Sequence, residues 1–176
     1  MITDAVRIVA DWLADGTYGV AAQLSGGGVP RDVDVTAVTM PTIVDETREP
    51  EIARKVTPDA LPVLIVSSAE TPVDQRTPVV MPAPFDGEVD VQIRFVTRKG
   101  ATDQALNDAA QLQRATVKSL NQLFKTAAGN TARVRNQMQL ISLRAVRSEW
   151  FQSNTDIVVV GAMVLTLQMR DVWATS

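Results

Sequence analysis

Apolar residues recur along this chain first at helical spacing and then, in several stretches, at strand spacing. Ile2, Val6, Val9 and Leu13 follow one another at three- and four-residue steps, and Ala5, Ile8 and Trp12 widen the same stripe. That period predicts an amphipathic helix. Asp4 sits in its first turn, where the helix dipole favours an anion, and Gly16 offers a stop. Residues 17–24 predict a further short helix. Ser25-Gly26-Gly27-Gly28 then breaks regular structure, after which Val33, Val35 and Ala37 alternate and predict a strand over 31–39.

The texture changes between residues 40 and 86. Pro41, Pro50, Pro58, Pro62, Pro72, Pro78, Pro82 and Pro84 crowd this stretch. Proline donates no hydrogen bond to a ladder and restricts the residue before it, so long central strands are not expected here. Residues 61–68 (LPVLIVSS) predict the one strand of this stretch. Residues 45–55 (DETREPEIARK) predict a solvated, mixed-charge excursion, and 69–86 an extended arm or long loop.

Strict alternation returns at 88–98, with Val89, Val91, Ile93 and Phe95 on one side and Asp90, Gln92, Arg94 and Arg98 on the other. A period of two with a polar side marks a strand whose outer face meets water or a partner. Gly100 ends it, and Thr102 is the expected cap of a helix over 102–125, with Asp103 in the first turn and Lys125 in the last. Leu106, Ala109, Ala110, Val117, Leu120 and Phe124 predict its core face, and Gly129-Asn130 its close. Two apolar strands, 138–149 and 157–173, then predict a hairpin turning at 152–156. Ile141, Leu143 and Ala145 are expected to share one face, as are Met163, Leu165, Leu167 and Met169, with Thr166, Gln168 and Arg170 opposite. These patterns together predict one α+β domain: an antiparallel sheet, an N-terminal helix and a long helix on one face, and a C-terminal β-hairpin.

Composition narrows the chemistry. The 176 residues contain no His and no Cys, which removes the commonest general base, the commonest transition-metal ligand and every thiol nucleophile. Zero cysteines also exclude a disulfide framework. A net charge of −3 argues against general phosphate binding. Met1-Ile2-Thr3-Asp4 lacks a basic stretch before an apolar one, and the longest apolar run, 157–165, falls short of the roughly 20 residues that span a bilayer as a helix. A chain soluble and intracellular at synthesis is expected.

The remaining motifs read more simply as structure than as sites. Gly26–Gly28 lacks the Lys-Ser or Lys-Thr of a phosphate loop. Asp32 with Asp34, and Glu88 with Asp90, pair carboxylates on one strand face, yet without His or a calcium-loop spacing they read as solvated faces. Ser67, Ser68 and Ser142 have no histidine to activate them. Arg133, Arg135, Arg144 and Arg147 form a basic cluster with no stacking aromatic between them, so salt bridges between subunits are favoured over nucleic-acid readout. Trp12, Trp150 and Trp173 are expected as core or interface anchors.

The order of helix, strands, long helix and final hairpin, ending Val164-Leu165-Thr166-Leu167-Gln168-Met169-Arg170-Asp171-Val172-Trp173, resembles the tail terminator (tail completion) proteins of long-tailed bacteriophages and related gene-transfer particles. The resemblance covers 2–24 and 88–173 and is one of topology and texture rather than of a motif. It implies a structural virion protein and no enzyme: a hexameric ring that caps the tail tube, ends its polymerisation and joins the tail to the head-side connector or stopper. The implied partners are further copies of the chain, the tail tube protein and the connector, with DNA passing through the lumen unread. No cofactor, metal or catalytic residue is implied, and the implied location is the tail or neck of the virion. Interface candidates are Arg94, Arg98 and Arg170, expected to pair with Asp45, Glu46 or Glu49 of the next subunit, and the arm prolines Pro72, Pro78, Pro82 and Pro84. The proline-rich stretch at 40–86 is longer than the family leads one to expect, which keeps a neighbouring neck or connector protein as an alternative. The alternative from another class is a small-ligand-binding or enzymatic α+β domain with a pocket between Leu120, Phe124 and the sheet. A third is a nucleic-acid binder.

Overall fold

The computed structural model describes residues 2–25, 41–46, 61–68, 86–134, 138–153 and 156–170. In chain order the elements are helices α1 (Ile2–Leu13) and α2 (Val20–Ser25), strands β1 (Thr42–Asp45), β2 (Val63–Ser68) and β3 (Asp86–Lys99), helices α3 (Thr102–Lys125) and α4 (Ala127–Val134), and strands β4 (Gln139–Ser153) and β5 (Asp156–Arg170). The strands form one sheet in the order β1-β2-β3-β5-β4. All neighbours pair antiparallel except β1, which joins β2 in parallel. The architecture is α+β, with the long helix on one face and a C-terminal hairpin.

Alternation in β3 and β5 builds the core. Val89, Val91, Ile93 and Phe95 are buried on one face of β3, and Ile157, Val159, Met163, Leu165, Leu167 and Met169 on the same face of β5. The register sets Val91 opposite Leu165, Ile93 opposite Met163 and Phe95 opposite Gly161. A Cβ at Gly161 would meet the Phe95 ring and the Ser148 hydroxyl, so this glycine makes room for an aromatic on the neighbouring strand. Helix α1 lies over β1, β2 and β3, while α3 lies over β3 and β5. The helix layer is tied together by the Trp12 indole, which donates to the Ser119 carbonyl of α3 at 2.8 Å and stacks on Tyr18 at 5.1 Å. Gln23 of α2 also donates to the Gln122 side chain of α3 at 2.9 Å.

Several local expectations are corrected. The buried face of α3 runs through Ala105, Ala109, Leu112, Thr116, Leu120 and Leu123, whereas Leu106 is 38% exposed and Ala110, Val117 and Phe124 lie on the flank. The apolar stripe is wider than the sheet can cover, and polar residues take core positions. Thr116 can do so because its hydroxyl donates to the Leu112 carbonyl at 2.7 Å. Thr102 is the first helical residue rather than the cap. Ala101 holds the cap position and contributes no side-chain hydrogen bond. Gly129 does not close the helix either. Thr126 accepts from the Gly129 amide at 3.0 Å and starts α4, in which a Cβ at Gly129 would collide with the Leu123 carbonyl. The glycine is there for close approach of the two helices.

β1 was not expected. Asp45, read as the start of a solvated excursion, ends this strand half-buried, because the β2 edge offers its backbone a parallel ladder. In the final hairpin β4 continues to Ser153, which pairs with Asp156, so the turn is tighter than expected. Register shifts between Leu140 and Ser142 and between Val146 and Glu149 interrupt β4. The first takes Ile141 off the face shared by Leu143 and Ala145, leaving it 48% exposed. The strand expected at 31–39, residues 47–60, the arm at 69–85 and Trp173 lie outside the described residues.

Candidate interface surfaces

The open face of the sheet carries the charges that the alternation of β3 exposed to view. Arg94 forms an ion pair with Glu46 of its own chain, reaching across β2 from β3 to the end of β1. Arg98 donates to Asp156 at 2.6 Å, joining β3 to the start of β5. Of the partners expected from a neighbouring subunit, Glu46 pairs inside the same chain, and Arg98 takes Asp156, which was not among them. The physical reason is register. Residues far apart in sequence become neighbours across the sheet once it forms, and both pairs are half-buried. Val63 and Ile65, packed with Val44, Leu61 and Val96, make a small second apolar cluster on this face. Arg170 closes β5 opposite Asp86. Glu49, Pro72, Pro78, Pro82 and Pro84 lie outside the described residues.

Arg133, one of the four arginines of the basic cluster, is committed within the chain. Arg133 donates to the carbonyls of Leu123 (2.8 Å), Met138 (3.0 Å) and Phe124 (3.4 Å), and its guanidinium stands 5.2 Å from the Phe124 ring centroid. It satisfies carbonyls at the C-terminal end of α3, where a cation also suits the helix dipole. That is a structural task. Arg144 is exposed on β4, and Arg135 lies outside the described residues.

Glu88 is exposed and Asp90 half-buried on β3. Among the described residues no three His, Cys, Asp or Glu side chains gather where they could hold a metal ion. Among the described residues Asp108 is the titratable group with a displaced equilibrium. Burial on the inner face of α3 pushes its carboxyl above the ordinary carboxylate range, and the Lys99 ammonium at 3.2 Å opposes that rise. The pair ties the end of β3 to α3. Leu112, Leu120 and Leu123 are almost fully buried in the core, and Phe124 packs against it half-buried. A cleft of 320 Å³ lies elsewhere, between α1 and α4, lined by Ile8, Asp11, Trp12, Asp15 and Ala132. Among the described residues no helix is long and apolar enough to cross a membrane.

Exposed apolar surface concentrates on β4. Ile141, Trp150 and Phe151 are 48%, 56% and 52% exposed, on a strand that has one neighbour among the described residues. Trp150 stands opposite Val159 and so shares the helix-side face, while Phe151, opposite Val158, is on the open face. The sequence named Trp150 as an anchor. Phe151 and Ile141 were missed, because their exposure depends on β4 being at the edge and on its bulges. Neither the models of known protein families nor the curated proteins yield a match to this chain.

Proposed function

We propose that this chain is a ring-forming structural subunit of a long-tailed bacteriophage or related particle, acting as a tail terminator. In this reading, copies of the chain close into a hexameric ring on the end of the tail tube, stop its growth and present a surface to the head-side connector. The observation that carries the reading is the edge strand β4. It places three large apolar side chains in solvent on a strand with an open hydrogen-bonding edge among the described residues. Exposed edges invite pairing with another chain, and natural proteins blunt them unless contact is their purpose. The bulges of β4 limit uncontrolled strand addition and leave side-chain contact as the means of association.

The placement of charge refines the expected contact. Arg94 and Arg98 are engaged within the subunit, which favours an apolar contact with weak salt dependence over the charge-matched one that the sequence suggested. The test is negative-stain microscopy of the purified protein, alone and mixed with tail tubes. Closed rings of uniform diameter, and tubes capped at one end, are the expected images. A protein that stays dispersed in both preparations overturns the reading.

A further inference from the structure

The charges of this chain are sorted along its length. From 109 to 148 the sequence has seven Lys or Arg and no Asp or Glu, although the whole chain is net −3. A run of that kind makes a surface of one sign wherever the fold lines its cations up. Helix α3 does so for three of them. Ala105, Leu112, Thr116 and Leu123 face the core, which turns Arg114, Lys118 and Lys125 to the outer side of the helix layer. At 3.6 residues per turn these three positions fall within about 40° of one another around the axis, and they span about 16 Å along it. Arg114 and Lys125 are exposed and Lys118 is half-buried, and none of the three has an ion-pair partner among the described residues. Arg133, by contrast, is committed to carbonyls, and Arg144 lies on the open face of the sheet, opposite Val164.

Among the described side chains of the helix layer the acids are Asp11, Asp15, Asp103 and Asp108. Asp108 is buried against Lys99, Asp15 accepts the Thr17 and Tyr18 amides, and Asp11 is engaged as well. Asp103 shares the outer face but stands about 16 Å along the helix from Arg114, beyond the screening distance of about 8 Å at physiological salt. The rest of the face is made of amides, the exposed Asn107 and Asn121, with no aromatic or large apolar side chain. A protein partner draws its affinity from buried aromatic and apolar anchors, and Lys is depleted where proteins meet. Single-stranded bases want aromatic platforms. A duplex backbone needs neither, because cations and amide donors suffice and counterion release supplies the affinity.

We propose that the outer face of α3 binds the phosphate backbone of double-stranded nucleic acid through Arg114, Lys118 and Lys125, without reading its sequence. The proposal goes beyond the ring reading and does not depend on it, since a single subunit carries the whole face.

The probe is a short DNA duplex of mixed sequence, its binding to the full chain followed by fluorescence anisotropy. Three neutralised phosphates give a slope of about −2.7 in log affinity against log salt, so affinity should fall about 40-fold between about 50 and 200 mM salt. A duplex of different sequence should bind equally well. Arg114→Gln, Lys118→Gln and Lys125→Gln should each flatten the slope by about 1, and the triple variant should lose the binding. Its circular dichroism spectrum should be unchanged, because glutamine is a good helix former at outward positions. Arg144→Gln, on the opposite face of the sheet, should bind as the unmodified chain does. Absence of binding at about 50 mM salt, or a triple variant that binds like its parent, overturns the proposal. Binding to poly-glutamate as tight as to the duplex also overturns it, and assigns the face to an acidic protein.

Discussion

Strands β4 and β5 are each 15 residues long and lie side by side, yet they behave differently. β5 pairs with β3 without a register shift, and from Val159 to Met169 every second residue is buried. β4 slips register twice and leaves Ile141, Trp150 and Phe151 in solvent. The difference is one of position. A strand with a partner on each side has both ladders fixed, and a one-residue slip would move its whole apolar set to the wrong face. An edge strand is held on one side only and can absorb an extra residue at small cost. Among the described residues regular burial belongs to β5, and the large exposed apolar side chains of the sheet belong to β4.

The contrast can be broken most directly by truncation. Leu165→Ala in β5 should destabilise the protein by about 2–5 kcal/mol, since Leu165 is fully buried between α3 and the paired strands. A chemical denaturation midpoint close to that of the unmodified chain would show that β5 is not the rigid element. Gly161→Ala tests the same strand by overfilling it. The new methyl would press on Phe95 and Ser148, and a loss of about 1–3 kcal/mol is expected. Gly100→Ala is the control, because nothing lies within 4 Å of its added Cβ and reduced freedom of the unfolded chain is the main effect. If both glycine variants melt together, the packing of Phe95 over Gly161 carries no weight.

Asp108 sharpens the contrast at the buried side. Its folded carboxyl is raised above the unfolded value by burial, so the folded state holds the proton more tightly. That contribution to stability is fully present below the ordinary carboxylate range, at about pH 3.9, and is lost as pH rises through the folded value. Asp108→Asn removes the titration. The variant should be the more stable at neutral pH, with the gap closing as pH falls through the folded value and closed below about pH 4. A variant less stable than its parent at neutral pH would mean that the Lys99 pair outweighs burial. The smallest effect is expected at the edge: Trp150→Ala should change the stability of the isolated subunit by about 0.5 kcal/mol or less while weakening association. A loss of several kcal/mol would make Trp150 a core residue and remove it from the contact.

Much of this architecture was legible from spacing. The α3 boundaries, the β3 faces and the buried set Met163, Leu165, Leu167 and Met169 follow from periods of 3.6 and 2, because burial on one side of a regular element leaves a periodic trace. The missing His and Cys likewise limited the chemistry before any fold was known. Long-range neighbours left no such trace. The pairing of Arg94 with Glu46 and Arg98 with Asp156, the parallel addition of β1, and the service of Arg133 to the end of α3 depend on which strands and turns meet. The rotation of α3 that exposes Leu106, and the edge position that exposes Trp150 and Phe151, were decided in the same way. Local periodicity records that a side chain is apolar and where it points along its own element. Whether something covers it is a property of the assembled layers, and only the tertiary structure could decide that.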